Sequence, residues 1–293
     1  MSGTPYQQLD VFTDRAGGGN PLGVVLNADA WSSVDMQRFA AWTDLVETTF
    51  LLTPSNPTAS YRVRIFTPTK EIPFAGHPSI GSAHAALEAG LVAIGGRLVQ
   101  ECAAGMLPIL VEGEGKLRRL FVQAPRASVL QQGMDAEPIL QSLLAGVCLG
   151  ALAPALIEGG RRWWMAEFAD EPSVRNWQPD HQKIAALAAA SQGLGLCVFA
   201  RCVNDFDLVV RAFPAGVGIV EDPASGAANG LIAAYLAQSE PNGPLARGYS
   251  VSQGREMGHD ARIMLRMDAD GAVWVGGQTH TVLRGSVEWE LLN

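Results

Sequence analysis

The pentapeptide His77-Pro78-Ser79-Ile80-Gly81 is answered 145 residues later by Asp222-Pro223-Ala224-Ser225-Gly226, and each copy runs on into small and apolar residues that read as a helix. A repeat of this kind points to two similarly built halves. Proline is favoured at the first helical position, where its missing N–H leaves no partner unbonded, so the repeat predicts His77 and Asp222 at equivalent N-caps. If the halves face one another, two helix N-termini converge with an imidazole and a carboxylate between them. The amides and dipole at such helix ends suit a small anionic metabolite.

Length and composition fit this plan. The 293 residues suffice for two domains with separate cores. Charged residues make up 17% of the chain, below the roughly 25% typical of soluble domains, so much of it is buried. The formal net charge of -8 argues against a phosphate-backbone binder, and no nucleic-acid partner is expected. The first ten residues have neither the basic segment nor the apolar core of a secretion signal. The apolar stretch 143–157 is too short to span a bilayer and contains Pro154. A cytoplasmic protein without membrane association is the default. Cys102, Cys148, Cys197 and Cys202 lack Cys-x-x-Cys spacing and read as reduced thiols, and His181, His259 and His280 form no ligand spacing, so no metal is expected.

Along the chain, 6–12 reads as a strand entering the turn Ala16-Gly17-Gly18-Gly19-Asn20-Pro21. That turn lacks the Gly-x-Gly-x-x-Gly and Gly-Lys-Ser/Thr patterns and is read as structural, with no nucleotide. Ser32 or Ser33 caps a helix carrying Met36, Phe39 and Ala40, and Glu47 stands at the junction with a strand over 48–53. Tyr61, Val63 and Ile65 alternate with Arg62 and Arg64 in a strand broken by Thr67-Pro68. Strands follow the first repeat helix at 97–103, 107–112 and 117–123. The second half begins near Ala124-Pro125, with a helix over 182–190 and a strand over 207–213 in which Arg211-Ala212-Phe213 echoes Arg64-Ile65-Phe66. Strands at 247–253, 261–267, 272–276 and 286–291 complete the pattern. Without an alternating βαβ rhythm, a doubly wound parallel sheet is disfavoured. The fold class is α+β, each half a mainly antiparallel sheet around one long helix, with boundaries at 1–123, 124–280 and a terminal strand in 281–293 returning to the first half.

Several stretches together resemble the PhzF family of phenazine-biosynthesis-like proteins, which share the diaminopimelate epimerase fold. They are Asp10-Val11-Phe12, Gly19-Asn20-Pro21-Leu22-Gly23-Val24, Glu47-Thr48-Thr49-Phe50, Arg64-Ile65-Phe66-Thr67-Pro68, Glu71-Ile72-Pro73-Phe74-Ala75-Gly76-His77-Pro78, Glu221-Asp222-Pro223-Ala224-Ser225-Gly226 and Gln253-Gly254-Arg255-Glu256-Met257-Gly258. The resemblance covers nearly the whole chain. It implies two pseudo-symmetric halves, each a barrel-like sheet around a central helix, an active site in the cleft between them, chemistry without a cofactor, and a homodimer. It also implies a proton-moving role for Glu47, with His77 and Asp222 holding and polarising the substrate. The epimerase relatives place a cysteine at the start of each central helix. Here no cysteine falls in either motif, so two-thiol racemisation is not available.

A base that removes a proton from carbon must be within hydrogen-bond reach, and the developing charge must be stabilised. Glu47, flanked by Leu45, Val46 and Phe50, fits the base and acid, while Gly76, Ser79, Ser225, Gly226 and Ala227 are candidate substrate-binding positions. The family's substrate-contacting serine is replaced by Ala227, and an arginine of many relatives by His259, so the resemblance carries over the reaction class with Glu47, His77 and Asp222 and leaves the substrate open. The leading expectation is a cofactor-independent isomerase or tautomerase acting on a small carboxylated metabolite. The alternatives are a non-catalytic binding or interaction protein of the same fold, and an amino-acid racemase.

Overall fold

The structure, a computed structural model, describes residues 3–93 and 95–292. In chain order it contains β1 (Thr4–Val11), β2 (Asn20–Val25), α1 (Ser33–Thr43), β3 (Thr48–Leu52), β4 (Tyr61–Phe66), β5 (Glu71–Ile72), α2 (Gly76–Glu88), β6 (Arg97–Cys102), β7 (Gly105–Glu112) and β8 (Arg119–Gln123). There follow β9 (Ser128–Gln132), α3 (Pro138–Leu143), β10 (Ala155–Glu158), β11 (Arg162–Glu167), α4 (Glu171–Asn176), α5 (His181–Ser191), β12 (Leu196–Arg201) and β13 (Leu208–Phe213). Then come α6 (Gly226–Ser239), β14 (Gly248–Gln253), β15 (Ala261–Met267), β16 (Val273–Gly277) and β17 (Thr279–Val287). This is a mixed α/β fold, rich in sheet and with few helices. The chain divides into two compact units, one running to Gln123 and resuming at Gly276, the other Ala124–Val275.

In the first unit β1 pairs antiparallel with β2 and β17, β2 parallel with β3, β3 antiparallel with β4, β4 parallel with β6, and β6–β7–β8 form an antiparallel run. The second unit repeats much of this succession. Strand β10 is antiparallel to β9 and β11, β11 parallel to β12, β12 antiparallel to β13, β13 parallel to β14, and β14 antiparallel to β15. The parallel pairs qualify the mainly antiparallel reading. A strand that leaves the sheet to deliver a helix returns parallel to the strand it left, as β4–α2–β6 and β13–α6–β14 do.

Helix α2 is buried at every residue from His77 to Leu87. A helix with small and apolar residues on all sides belongs in a core, and Gly81 shows how closely its neighbours approach. A side chain there would strike Leu22 and lie 3.0 Å from Val11 Cγ2. We expect Gly81→Val to lower the unfolding free energy by about 1–3 kcal/mol, the usual cost of overpacking, as measured by urea denaturation. Helix α1 buries Met36, Phe39 and Ala40. Phe39 makes edge contacts with Trp31, Phe50 and Tyr6 at centroid distances of 5.4, 6.3 and 5.9 Å, which fixes the helix against β3 and its neighbours.

Two predictions are corrected. His77 and Asp222 do not occupy equivalent N-caps. In the first copy the N-cap is Ala75, and His77 is already the second helical residue. In the second copy the N-cap is Ser225, whose hydroxyl accepts from Ala228 N, and Asp222 lies three residues upstream in an isolated bridge to Ala212. The serine hydroxyl is well suited to bond the N3 amide, while the Asp222 carboxylate bonds Ala224 N at 3.1 Å and closes its own turn. The last strand also differs, occupying Thr279–Val287 rather than 286–291.

Candidate active site

Glu47 is held by what surrounds it in sequence. Helix α1 ends at Asp44, which adopts a left-handed conformation, and Thr43 Oγ1 donates to Ala40 O at 3.0 Å and lies 2.8 Å from Thr48 Oγ1. The link between α1 and β3 is thus tied at both ends and delivers Glu47 to a corner where its side chain is only 12% exposed. There its Oε2 faces His77 Nε2 at 3.4 Å.

The imidazole is buried, and burial pushes its pKa down to about 3, against the partly opposing hydrogen bond to the Pro21 backbone. Pro21 has no N–H, so the ring donates to its carbonyl. A neutral imidazole has one N–H, and with that proton given to Pro21 the nitrogen facing Glu47 is an acceptor. The glycine-rich turn therefore has a task beyond reversing the chain. Its Gly17 N–H bonds the Asp10 carboxylate, and a side chain at Gly19 would collide with the Val11 carbonyl, so the turn packs tightly ahead of Asn20-Pro21.

His77 makes folding pH-dependent. Its folded pKa lies below the usual 6.5, so the unfolded chain binds more protons once the pH falls under that value. The stability contributed by the neutral ring is complete above about pH 6.5 and is lost as the pH falls toward 3. His84, pushed down to about 4 by burial, acts in the same direction. We expect His77→Gln to reduce the slope of unfolding free energy against pH by up to about 1.4 kcal/mol per pH unit between pH 6 and 4.5. Urea denaturation across that range measures it, and an unchanged slope would mean that the ring is charged in the fold.

Asp222 belongs to the second unit. Its N–H donates to Ala212 O at 2.9 Å, its carbonyl accepts from Gln253 Nε2 at 2.8 Å, and its Oδ1 accepts from Ala224 N at 3.1 Å. Immediately before it, Glu221 forms a two-pronged ion pair with Arg211, 2.9 Å at each contact, and Arg211 also donates to the carbonyls of Val174 and Trp177. The first repeat has the same device between Arg64 and Glu71, at 2.8 and 2.7 Å. Each guanidinium also lies over the phenylalanine two residues on, 5.1 Å from Phe66 and 5.0 Å from Phe213. Arg64 and Arg211 thus brace the segments that lead to the two motifs. Cys197 carries a thiol pushed well above its usual range by burial and by the charge of Asp222, which leaves it unreactive.

Among the candidate binding positions, Ser79 Oγ donates to Ala75 O and accepts from Gln100 Nε2, and Ser225 Oγ caps α6, so both hydroxyls are engaged within the fold. Gly76 and Gly226 open their helices, and Ala227 is exposed in the first turn of α6. Among the described residues there is no group of three or more His, Cys, Asp or Glu arranged to hold a metal, and no helix long and apolar enough to cross a membrane. Sequence reading did not assign a role to Gln100 or Gln253. Their signal is weak, a single uncharged polar residue within or at the end of an otherwise ordinary strand.

The family model for phenazine biosynthesis-like protein, PhzC-PhzF, matches residues 9–285. The Schizosaccharomyces pombe protein named antisense-enhancing sequence 1 is 32% identical, over 97% of this chain and 99% of its own length. The trans-2,3-dihydro-3-hydroxyanthranilate isomerase of Pseudomonas aeruginosa is 31% identical, over 91% of each chain. Among solved structures, the Bacillus anthracis phenazine biosynthesis protein of the PhzF family superposes with a TM-score of 0.83 at 24% identity, covering 98% of this chain and 99% of its own, which shows the shared fold. With the family match running from β1 into β17, the chain belongs to the PhzC-PhzF family of phenazine biosynthesis-like proteins.

Proposed function

We propose that the protein is a cofactor-independent isomerase of a small carboxylated metabolite, in which Glu47 takes a proton from one carbon and gives a proton to another. The observation that carries this reading is the buried Glu47–His77 pair, with Oε2 3.4 Å from Nε2; burial disfavours the charged imidazole, and its bond to Pro21 leaves Nε2 to accept. Once Glu47 has accepted a proton, its O–H has an acceptor in His77 Nε2 that steadies the carboxyl until it protonates the second carbon. The step consumes no oxidant or reductant: a C–H bond is broken, an O–H bond forms on Glu47, and the carboxyl, whose proton exchanges with solvent, gives a proton to form the new C–H bond. His77 serves as a neutral acceptor and not as a cation for the substrate carboxylate. Asp222 and the opening amides of α6 take the substrate's polar groups, negative ones being favoured at the helix end. We read the two units as the pseudo-symmetric halves of an epimerase-like fold, and the working form as a homodimer.

The names of the relatives support the reaction class, since isomerases acting on trans-2,3-dihydro-3-hydroxyanthranilate recur among them. A second reading, a non-catalytic binding protein of the same fold, is favoured by one observation: the fission-yeast relative has a name that denotes no reaction. The two separate on incubation with trans-2,3-dihydro-3-hydroxyanthranilate and a panel of cyclic and amino-acid carboxylates in D₂O. Isomerisation appears as a shifted double bond by NMR. Racemisation appears as lost optical rotation. Saturable binding without any change in the ligand supports the non-catalytic reading.

A further inference from the structure

Gln253 closes β14 with its side chain fully buried. Its Oε1 accepts from Ser225 N at 3.2 Å and from Asn229 Nδ2 at 2.9 Å, while its Nε2 donates to the Asp222 carbonyl at 2.8 Å. One amide therefore joins the residue before the turn, the cap of α6 and the first turn of that helix. Asn229 strengthens the join, its Nδ2 also donating to Ser225 O at 2.9 Å. Asp222 is consequently fixed by β13 through its N–H, by Gln253 through its carbonyl and by its own turn through Oδ1.

The first unit holds a comparable residue. Gln100 lies on β6, parallel to β4, as Gln253 lies on β14, parallel to β13. It too is fully buried, accepting from Tyr61 Oη at 3.0 Å and donating to Ser79 Oγ at 3.0 Å. Its reach ends at the helix start, because Ser79 Oγ passes the connection to Ala75 O and not to His77. The second glutamine, by contrast, bonds the motif's polar residue directly.

We propose that Gln253 is a positioning residue for Asp222: its amide donor holds the Asp222 carbonyl and so sets the direction of the carboxylate that receives substrate. The substrate role of Asp222 is that of the proposed function, whereas the positioning claim has a test of its own. Replacement by glutamate, Gln253→Glu, keeps the shape and the acceptor side. In that variant a protonated carboxyl can still donate to the Asp222 carbonyl; an ionised one presents oxygen to oxygen and cannot. Burial favours the neutral form of a carboxyl, so the contact survives at low pH and fails as the pH rises.

The test uses the full chain. The carboxyl ¹³C resonance of Asp222, assigned by its absence from Asp222→Asn, is followed with pH in wild type, Gln253→Glu and Gln253→Met without substrate. We expect Gln253→Glu to match wild type near pH 5.5 and to depart from it by pH 8, with Gln253→Met displaced throughout. With a turned-over substrate, kcat/KM of Gln253→Glu should approach wild type at pH 5.5 and fall about tenfold or more below it at pH 8, a loss on the order of one imperfectly placed contact. Lower melting temperatures in both variants, with the Asp222 resonance and the pH profile unchanged, would reduce Gln253 to a structural residue and overturn the proposal. If wild type turns over nothing, the proposed function fails and the resonance alone decides the positioning claim.

Discussion

Arg211→Met should lower the unfolding free energy by about 3–5 kcal/mol, the range for removing one partner of a buried ion pair. Arg211 is 5% exposed and the Glu221 side chain 11%, so little water can reach the abandoned carboxylate. The Val174 and Trp177 carbonyls lose their donor at the same time. The equivalent change in the first repeat provides the comparison. The side chains of Arg64 and Glu71 are 21% and 36% exposed, and Arg64→Met should cost only about 1 kcal/mol or less, as solvent-screened pairs do. Replacing both partners, Arg211→Met with Glu221→Leu, should recover part of the loss, because no buried charge then remains unpaired. Urea denaturation of wild type and the three variants gives the differences. Equal costs at Arg64 and Arg211 would show that burial does not distinguish the two braces.

Glu47→Gln should reduce kcat by about 10³-fold on a turned-over substrate, within the range for removing a general acid or base. Glutamine keeps the size and polarity of the side chain but cannot take a proton from carbon. Substrate contacts elsewhere are retained, so KM should change little, and the loss should appear in kcat and kcat/KM alike. Glu47→Asp withdraws the carboxyl by one methylene and should retain a measurable part of the rate. A Glu47→Gln protein with wild-type kcat would remove Glu47 from the chemistry.

Local pattern carried much of the fold. Tyr61, Val63 and Ile65 alternate because one face of β4 is buried, and the predicted and observed limits of that strand coincide. The repeat located both long helices because small residues surrounded by apolar ones are what a buried helix requires. It misplaced their caps: Ser225, three residues past Asp222, takes the cap in the second copy, and in the first the helix already begins at Gly76, so that Pro78 is its third residue. Strand β17 was placed too late in the chain because residues 282–286 are all exposed and show no alternation, its register coming from β1 nearly the whole chain away. The site was legible only in part. Glu47 came from a family resemblance, since a glutamate beside a strand is ordinary by itself. The Pro21 carbonyl on His77, the Gln253 contact and the unequal burial of the two arginine braces depend on long-range packing that no spacing in the chain reveals.

The central claim is that Glu47 moves a proton at carbon. Its most direct measurement is deuterium incorporation from D₂O into the product formed from trans-2,3-dihydro-3-hydroxyanthranilate, or from whichever carboxylate of the panel is turned over. ¹H NMR follows wild type and Glu47→Gln side by side, after both are shown to melt alike. Exchange at carbon is expected in the wild type, and none above the uncatalysed background in Glu47→Gln. Equal exchange in the two proteins would contradict the claim.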